Sequence, residues 1–435
     1  MSVSGAPEKP PGLDGEPAGA RSPAGRGRLR AWSRKLALLL ASTAFTLLAL
    51  EAGLRLFYPK FKYAAESDYQ ASQARIWSRN PNSRYTRPHP DTGRPHLVRH
   101  NHLALRQHRD FPPAALEGAT NVGVFGDSFV ENLRLPAPYS FTEPLDYLLN
   151  LGVARWNVLN FGVDGYGTDQ AYLTWRDFPA RKQLRHVFYF FGANDIRNNY
   201  ENRLFHLAGD TLVRAPARAS PWFVRALAKL HLTYLVIEGI ETTFYRTRDF
   251  NKQIELGAFL AHAEEFHSPA ADRLERDFLT RAPSPELDAQ LRLLTALLAT
   301  WRREVEAEGG QFHIVLLPRP GEHQAAPLFT AAGHSVVDLY AYAAEAEAGV
   351  RNRPLVFARD AHWNELGNLI AAKKLYAVLC ALRGVPPLRG EALDRALIRY
   401  YSAFAPGWHP EGTSSSPAEL SGETAANRKK YLGSE

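Results

Sequence analysis

Cysteine is nearly absent: Cys380 stands alone among 435 residues. A single thiol excludes an internal disulfide framework and any cysteine-rich zinc site. It is compatible with an oxidising space, because no second thiol in the chain can mispair with it. Its stretch, "KKLYAVLCALR", reads as an amphipathic helix and predicts a buried structural thiol. No internal repeat is visible, which argues against solenoids and arrays. Charge is missing altogether from Leu36 to Leu50. Elsewhere basic residues exceed acidic ones, and the formal net charge is +7. That excess does not point to nucleic acid. The first 35 residues hold seven basic side chains (Lys9, Arg21, Arg26, Arg28, Arg30, Arg34, Lys35) against three acids (Glu8, Asp14, Glu16). A basic flank beside an apolar segment sets membrane orientation instead.

The apolar segment is "KLALLLASTAFTLLALEAGLRLFY". Fifteen uncharged residues span about 22 Å as a helix, short of the roughly 30 Å of hydrocarbon. The residues from Glu51 to Phe57 complete the span if Arg55 snorkels to the interface and Tyr58 lies in the aromatic belt. The small-x-small cleavage pattern is poor around Ala49 to Gly53, so an uncleaved signal-anchor is favoured over a cleaved leader or a core helix. The division expected is therefore a disordered basic cytoplasmic tail over 1–34, a transmembrane anchor over 35–58 and an extracytoplasmic connecting region over 59–117. The main domain follows over 118–405, with an insertion over about 200–285, and a mobile tail over 406–435. The anchor would lie in the cytoplasmic (inner) membrane, single-pass, with the main domain on the periplasmic or extracellular side.

From residue 121 the pattern is α/β. Strand candidates are Val122–Phe125, Trp156–Phe161, His186–Phe191, Phe312–Leu317 and Ser335–Leu339. Helical patterns cover 140–151, 168–176, 286–308 and 364–382. Short apolar runs alternating with amphipathic helices predict a parallel sheet covered on both faces. The alternation lapses over about 200–285. There "FHLAGDTLVR" predicts a hairpin around Gly209-Asp210. The stretch "PWFVRALAKLHLTYLVIEGIETTF" predicts a long apolar helix, either packed on the domain or acting as a lid or membrane-facing surface that controls substrate access.

Four stretches carry chemistry. "NVGVFGDSFVEN" ends a buried strand in Gly126-Asp127-Ser128. "LNFGVDGYGTDQ" ends another in a run of glycines that includes Gly165. "VFYFFGANDIRNN" places Asn194 just after a third. "ARDAHWNELGN" sets Asp360 and His362 before a helix. In an open parallel sheet ligands bind beyond the carboxyl ends of the strands, so the first three stretches can converge. Acyl transfer needs a nucleophile, a base, an orienter for the base and donors for the oxyanion. Ser128 can attack, His362 can take its proton, and Asp360 can fix the imidazole tautomer. The backbone N–H groups of Ser128 and Gly165 and the side-chain amide of Asn194 can form the oxyanion hole. Asp127 and Asp195 read as turn and cap residues, and Asn160 and Asp164 as possible supports for Gly165. Arg106 has a packing role, and His313, His323 and His334 read as surface or loop residues.

In this order the four stretches resemble the four blocks of the SGNH (GDSL) hydrolase superfamily, over roughly residues 118–385. The resemblance implies a flavodoxin-like three-layer α/β/α fold, no metal or other cofactor, and a serine site without the sharp G-x-S-x-G elbow. Two features depart from the pattern. The usual last block is D-x-x-H, whereas this chain has Asp360-Ala361-His362-Trp363. That D-x-H-W block is similar to the polysaccharide O-acetyltransferase branch. The segment over 200–285 is also extra. The expected activity is a serine esterase acting on acyl esters. The alternatives are an O-acetyltransferase modifying a cell-surface or exported polysaccharide, and a non-catalytic envelope glycan-binding protein of the same fold. Trp363, the anchoring and the aromatic content favour transfer to a sugar.

Overall fold

A computed structural model of the chain describes residues 23–57, 69–216, 230–235 and 269–405, apart from short gaps at 73, 108, 234, 319, 341 and 344–353. The tail over 406–435 and most of the apolar stretch predicted as a long helix lie outside the described residues.

Two antiparallel hairpins come first among the strands. One pairs β1 (Tyr69–Ser72) with β2 (Ile76–Arg79), and the other pairs β3 (Arg84–Pro88) with β4 (Pro95–Arg99). Five parallel strands then build the central sheet: β5 (Thr120–Phe125), β6 (Trp156–Asn160), β7 (Leu184–Phe191), β10 (Gln311–Leu316) and β11 (Ser335–Asp338). Their spatial order is β11-β10-β7-β5-β6. Each matches a sequence-predicted strand to within two residues. β8 (Phe205–Ala208) and β9 (Thr211–Arg214) form the hairpin expected around Gly209-Asp210.

The strands are apolar on both sides because both faces are covered. Val122, Val124, Phe188, Phe190 and Val315 point to a core shared with helices Thr142–Leu149, Glu365–Leu382 and Gly390–Phe404. Phe125, Leu159, Val187, Tyr189 and Phe191 point to the opposite core. Helices Thr168–Asp177, Asn194–Asn202, Pro269–Thr280 and Pro285–Ala307 close that side. The last of these shows why its sequence is helical. Ser284 caps it through Leu287 N, Pro285 and two acids occupy the first turn, and Leu294, Leu297, Leu298, Trp301 and Val305 make one buried stripe. The architecture is three-layer α/β/α, and read in chain order the sheet is the flavodoxin-like 2-1-3-4-5 arrangement. Cys380 is buried in the helix Glu365–Leu382, as its stretch predicts.

The outer edge of β6 is satisfied by side chains. Asn150 bonds both the N–H and the carbonyl of Trp156, and Asp146 accepts from Val158 N. Gln107 donates to Val158 O and accepts from Asn160 N.

The N-terminal helix runs from Pro23 to Phe57, beginning within the stretch expected to be a disordered tail. Arg and Ala, good helix formers, dominate the added turns. The section Trp32–Phe57 is long and apolar enough to cross a membrane, and none of its most apolar window is buried. Arg55 does not depend on snorkelling alone, because its Nε donates to Glu51 one turn earlier at 2.7 Å. Glu51 in turn accepts from the backbone N–H groups of His231 (3.0 Å) and Leu232 (2.8 Å).

Asn368, fully buried on the helix Glu365–Leu382, ties that helix to Asn132 and to the start of the neighbouring helix Thr142–Leu149. Its Oδ1 accepts from Asn132 Nδ2 (2.8 Å) and from Phe141 N (3.2 Å). Asn368→Ala should destabilise the chain by about 2 kcal/mol, since two buried donors lose their acceptor; urea unfolding measures it.

Candidate active site

The order of the sheet reverses beside β5, so the switch point lies between β5 and β7. The three loops expected to carry chemistry leave β5, β6 and β7 at their carboxyl ends. Asp127 caps the short helix Ser128–Glu131, accepting from Phe129 N at 3.0 Å through Oδ1. Its second oxygen accepts from Asn194 Nδ2 at 2.8 Å. Asp127 thus holds its own turn and also orients the Asn194 amide.

His362 comes from the fourth stretch, and its Nε2 lies 2.6 Å from Ser128 Oγ. Its Nδ1 is hydrogen-bonded to Asp360 Oδ1, and the same oxygen accepts from His362 N at 2.8 Å. The D-x-H spacing is therefore compatible with an acid-to-base contact: the intervening Ala361 closes a tight turn around one carboxylate oxygen. Ser128 is buried, whereas Asp360 and His362 are partly exposed. The Phe129 ring packs 4.8 Å from the imidazole, centroid to centroid.

The glycine stretch lies against the serine helix. A Cβ on Gly162 would come within 2.4 Å of Glu131 N, so only glycine permits that approach. Gly165 has φ +81°, and its carbonyl accepts from Asn198 Nδ2 on the helix that begins at Asn194. The N–H groups of Ser128 and Gly165 donate to no described residue. Asn160 braces the same region, donating to Val130 O and accepting from Gly162 N. Asp195 is not the helix cap expected: it lies in the first turn of Asn194–Asn202, and its Oδ2 accepts from Gly192 N and from Tyr189 OH, closing the turn after β7. Burial and the nearby Asp127 push its carboxyl well above the usual carboxylate range.

Several contributors carry no motif. Arg134 donates to Asp164 Oδ2 (2.9 Å) and to Asp360 Oδ2 (3.4 Å). Burial alone would raise both carboxyls, but their partners hold them below the usual range. For Asp164 these are chiefly Arg134 and then His362, and for Asp360 chiefly His362 and then Arg134. Glu131, fully buried, accepts from Arg79 (2.5 and 2.6 Å), His100 Nε2 (3.1 Å) and Asp164 N (2.6 Å). The β3–β4 hairpin reaches the histidine loop. Asp91 accepts from the N–H groups of Ala358 and Arg359, and His89 Nε2 bonds Glu365 at 3.1 Å.

Trp363 of the D-x-H-W block is 3% exposed and packs among Phe129, Phe141 and Phe190. Two expectations are corrected. His313 and His334 are not surface residues. His313 sits inside β10 against Phe188, and burial lowers both imidazoles to about 4. His323 is exposed as expected, and pairs with Asp338. Arg106 is buried and donates to Leu135 O, in keeping with its packing role. Among the described residues no cluster of three His, Cys, Asp or Glu side chains is grouped to hold a metal ion.

No protein-family model and no curated protein matches the sequence. Among solved structures, the chain is similar to a G-D-S-L-family protein from Desulfitobacterium hafniense DCB-2, described as lipolytic. The identity is 11% and the TM-score 0.32, over 60% of this chain and 99% of that one. It is also similar to the acetylxylan esterase Axe2 from Geobacillus stearothermophilus, at 12% identity and a TM-score of 0.34, over 63% and 99% of the two chains. A third is the acetyl xylan esterase AlAXEase, at 12% and 0.32, over 60% and 99%.

Glu131 sets a pH dependence. Burial would raise its carboxyl, but Arg79 and His100 hold it down at about 2 against an ordinary 4.5. Its stabilisation is complete above pH 4.5 and is lost as the pH falls toward 2. His100, kept neutral by burial, adds to the loss once its unfolded form protonates below about 6.5. Glu131→Gln should cost about 3 kcal/mol at pH 7. It should also flatten the fall in stability between pH 4.5 and 2, read from thermal melts across pH.

Proposed function

We propose that this chain is a serine esterase of the SGNH type, acting on acyl esters by double displacement. The observation that carries the reading is the 2.6 Å approach of His362 Nε2 to Ser128 Oγ, with Asp360 bonded to the other ring nitrogen. Ser128 Oγ attacks the ester carbonyl carbon while His362 Nε2 takes the hydroxyl proton. Charge collects on the carbonyl oxygen, where the N–H groups of Ser128 and Gly165 and the Asn194 amide can donate. One such donor is typically worth about 3–4 kcal/mol of barrier. Collapse breaks the ester C–O bond. The departing alkoxide takes the imidazolium proton and leaves an acyl-serine. Water then repeats the sequence, so that a carboxylic acid is released and the serine hydroxyl is restored.

The same intermediate could pass its acyl group to a sugar hydroxyl. Trp363, buried in the core, lends that alternative no support, and hydrolysis is the reading retained. The apolar helix would anchor the chain in a membrane, and its basic flank assigns the catalytic domain to the far side from the cytoplasm.

The full-length chain, purified in mild detergent, should release p-nitrophenol from its acetate ester. Ser128→Ala should lower that rate by about a thousandfold or more. A fluorophosphonate probe should label wild type at Ser128 and leave the variant unlabelled. No hydrolysis and no labelling in the wild type would replace the esterase reading with a non-catalytic binding protein. For topology, a periplasm-active reporter fused to the C-terminus should be active and a cytoplasm-only reporter silent; the opposite pattern overturns the anchoring.

A further inference from the structure

Arg134 stands six positions after Ser128 in "VENLRLP", where no motif marks it. Its side chain is 15% exposed and reaches two loops from opposite ends of the chain. Nη1 donates to Asp164 Oδ2, one residue before Gly165, and Nε donates to Asp360 Oδ2. Asp360 is therefore held on both oxygens, Oδ1 by the backbone and ring of His362 and Oδ2 by the guanidinium. Asp164 is held on both sides too, its N–H by Glu131 and its carboxylate by Arg134. A planar guanidinium presents donors along two edges of one rigid fork, which an ammonium cannot do.

We propose that Arg134 is a positioning residue: it clamps the carboxylate that orients His362 to the turn that presents the Gly165 N–H. Its catalytic meaning rests on the esterase reading above; the clamp itself does not. The clamp also sets the charge around the base. On its own loop the imidazole faces Asp360, and from other loops Asp164 and Arg134. Arg87 of β3 and the Glu131–Arg79–His100 cluster stand behind Asp164, and Glu365 on the following helix is paired with His89 of the β3–β4 hairpin. With Arg134 in place, two carboxylates and one cation surround the ring. Without it, two uncompensated carboxylates favour the imidazolium over the free base.

Imidazole NMR on the full chain in detergent tests this, with labelled histidine and the His362 signal assigned by His362→Gln. Arg134→Met should raise the His362 titration midpoint by about one pH unit. The acid limb of kcat/KM should move with it. Arg134→Lys should return the midpoint close to wild type yet keep kcat about tenfold down, because charge without the fork does not fix both loops. Asp164→Asn removes a carboxylate and should move the midpoint the other way, so the clamp stays testable if Arg134→Met fails to fold. An unchanged midpoint in folded Arg134→Met, or no downward shift in Asp164→Asn, overturns the proposal. Shifted midpoints together with hydrolysis indifferent to Ser128 would sink the esterase reading and leave the clamp standing. Hydrolysis that depends on Ser128, with midpoints that do not move, would sink the clamp alone.

Discussion

A carboxylate without access to water must find its donors inside the protein, because leaving it unpaired there costs several kcal/mol. Glu131 finds them on three separate segments: the guanidinium of Arg79, the imidazole of His100 and the backbone N–H of Asp164. This one requirement shapes the carboxyl end of the sheet. It draws the β1–β2 hairpin and the strand after β3 down onto the serine helix. It also brings the glycine turn so close that position 162 has no room for a side chain. The nucleophile's helix is only a turn long, and besides its own backbone bonds it is held by this cluster and by the Asp127 cap.

The sheet was legible in the sequence because its inner strands are buried on both faces, so they read as largely apolar runs. Four covering helices were legible from their apolar patterns, whereas Asn194–Asn202, Pro269–Thr280 and Gly390–Phe404 were not read as helices. The site was legible as far as it is local: each of the four stretches places its residue within a few positions of a strand end or helix start. What escaped was everything that acts across the chain. Arg79, Asp91, Arg134 and Glu131 have no neighbours in sequence that announce a partner, and an arginine among polar residues reads as solvated surface. The region over 59–117 therefore looked like connection, whereas its two hairpins supply Arg79 to Glu131 and Asp91 to the histidine loop.

Trp363 shows how the same local signal can mislead. Next to a candidate base, an aromatic ring invites a binding role. The loop's antiparallel bridge between Val356 and Trp363 turns the indole inward instead, onto Phe129, Phe141 and Phe190. Its contribution is to seat the histidine loop on the core, while Asn364 caps the helix behind it. The opposite misreading befell His313 and His334, whose polar type suggested surface although each lies in a buried apolar setting.

The side chains along β6 have a consequence for assembly. An edge strand ordinarily offers a ladder of free N–H and C=O groups to which another chain can zip. Here Asn150, Asp146 and Gln107 fill those valences at Trp156, Val158 and Asn160. In effect the sheet wears a sixth strand made of amides and a carboxylate. Strand exchange or fibril-like growth from that margin is closed to this molecule unless the helix carrying Asp146 first peels away.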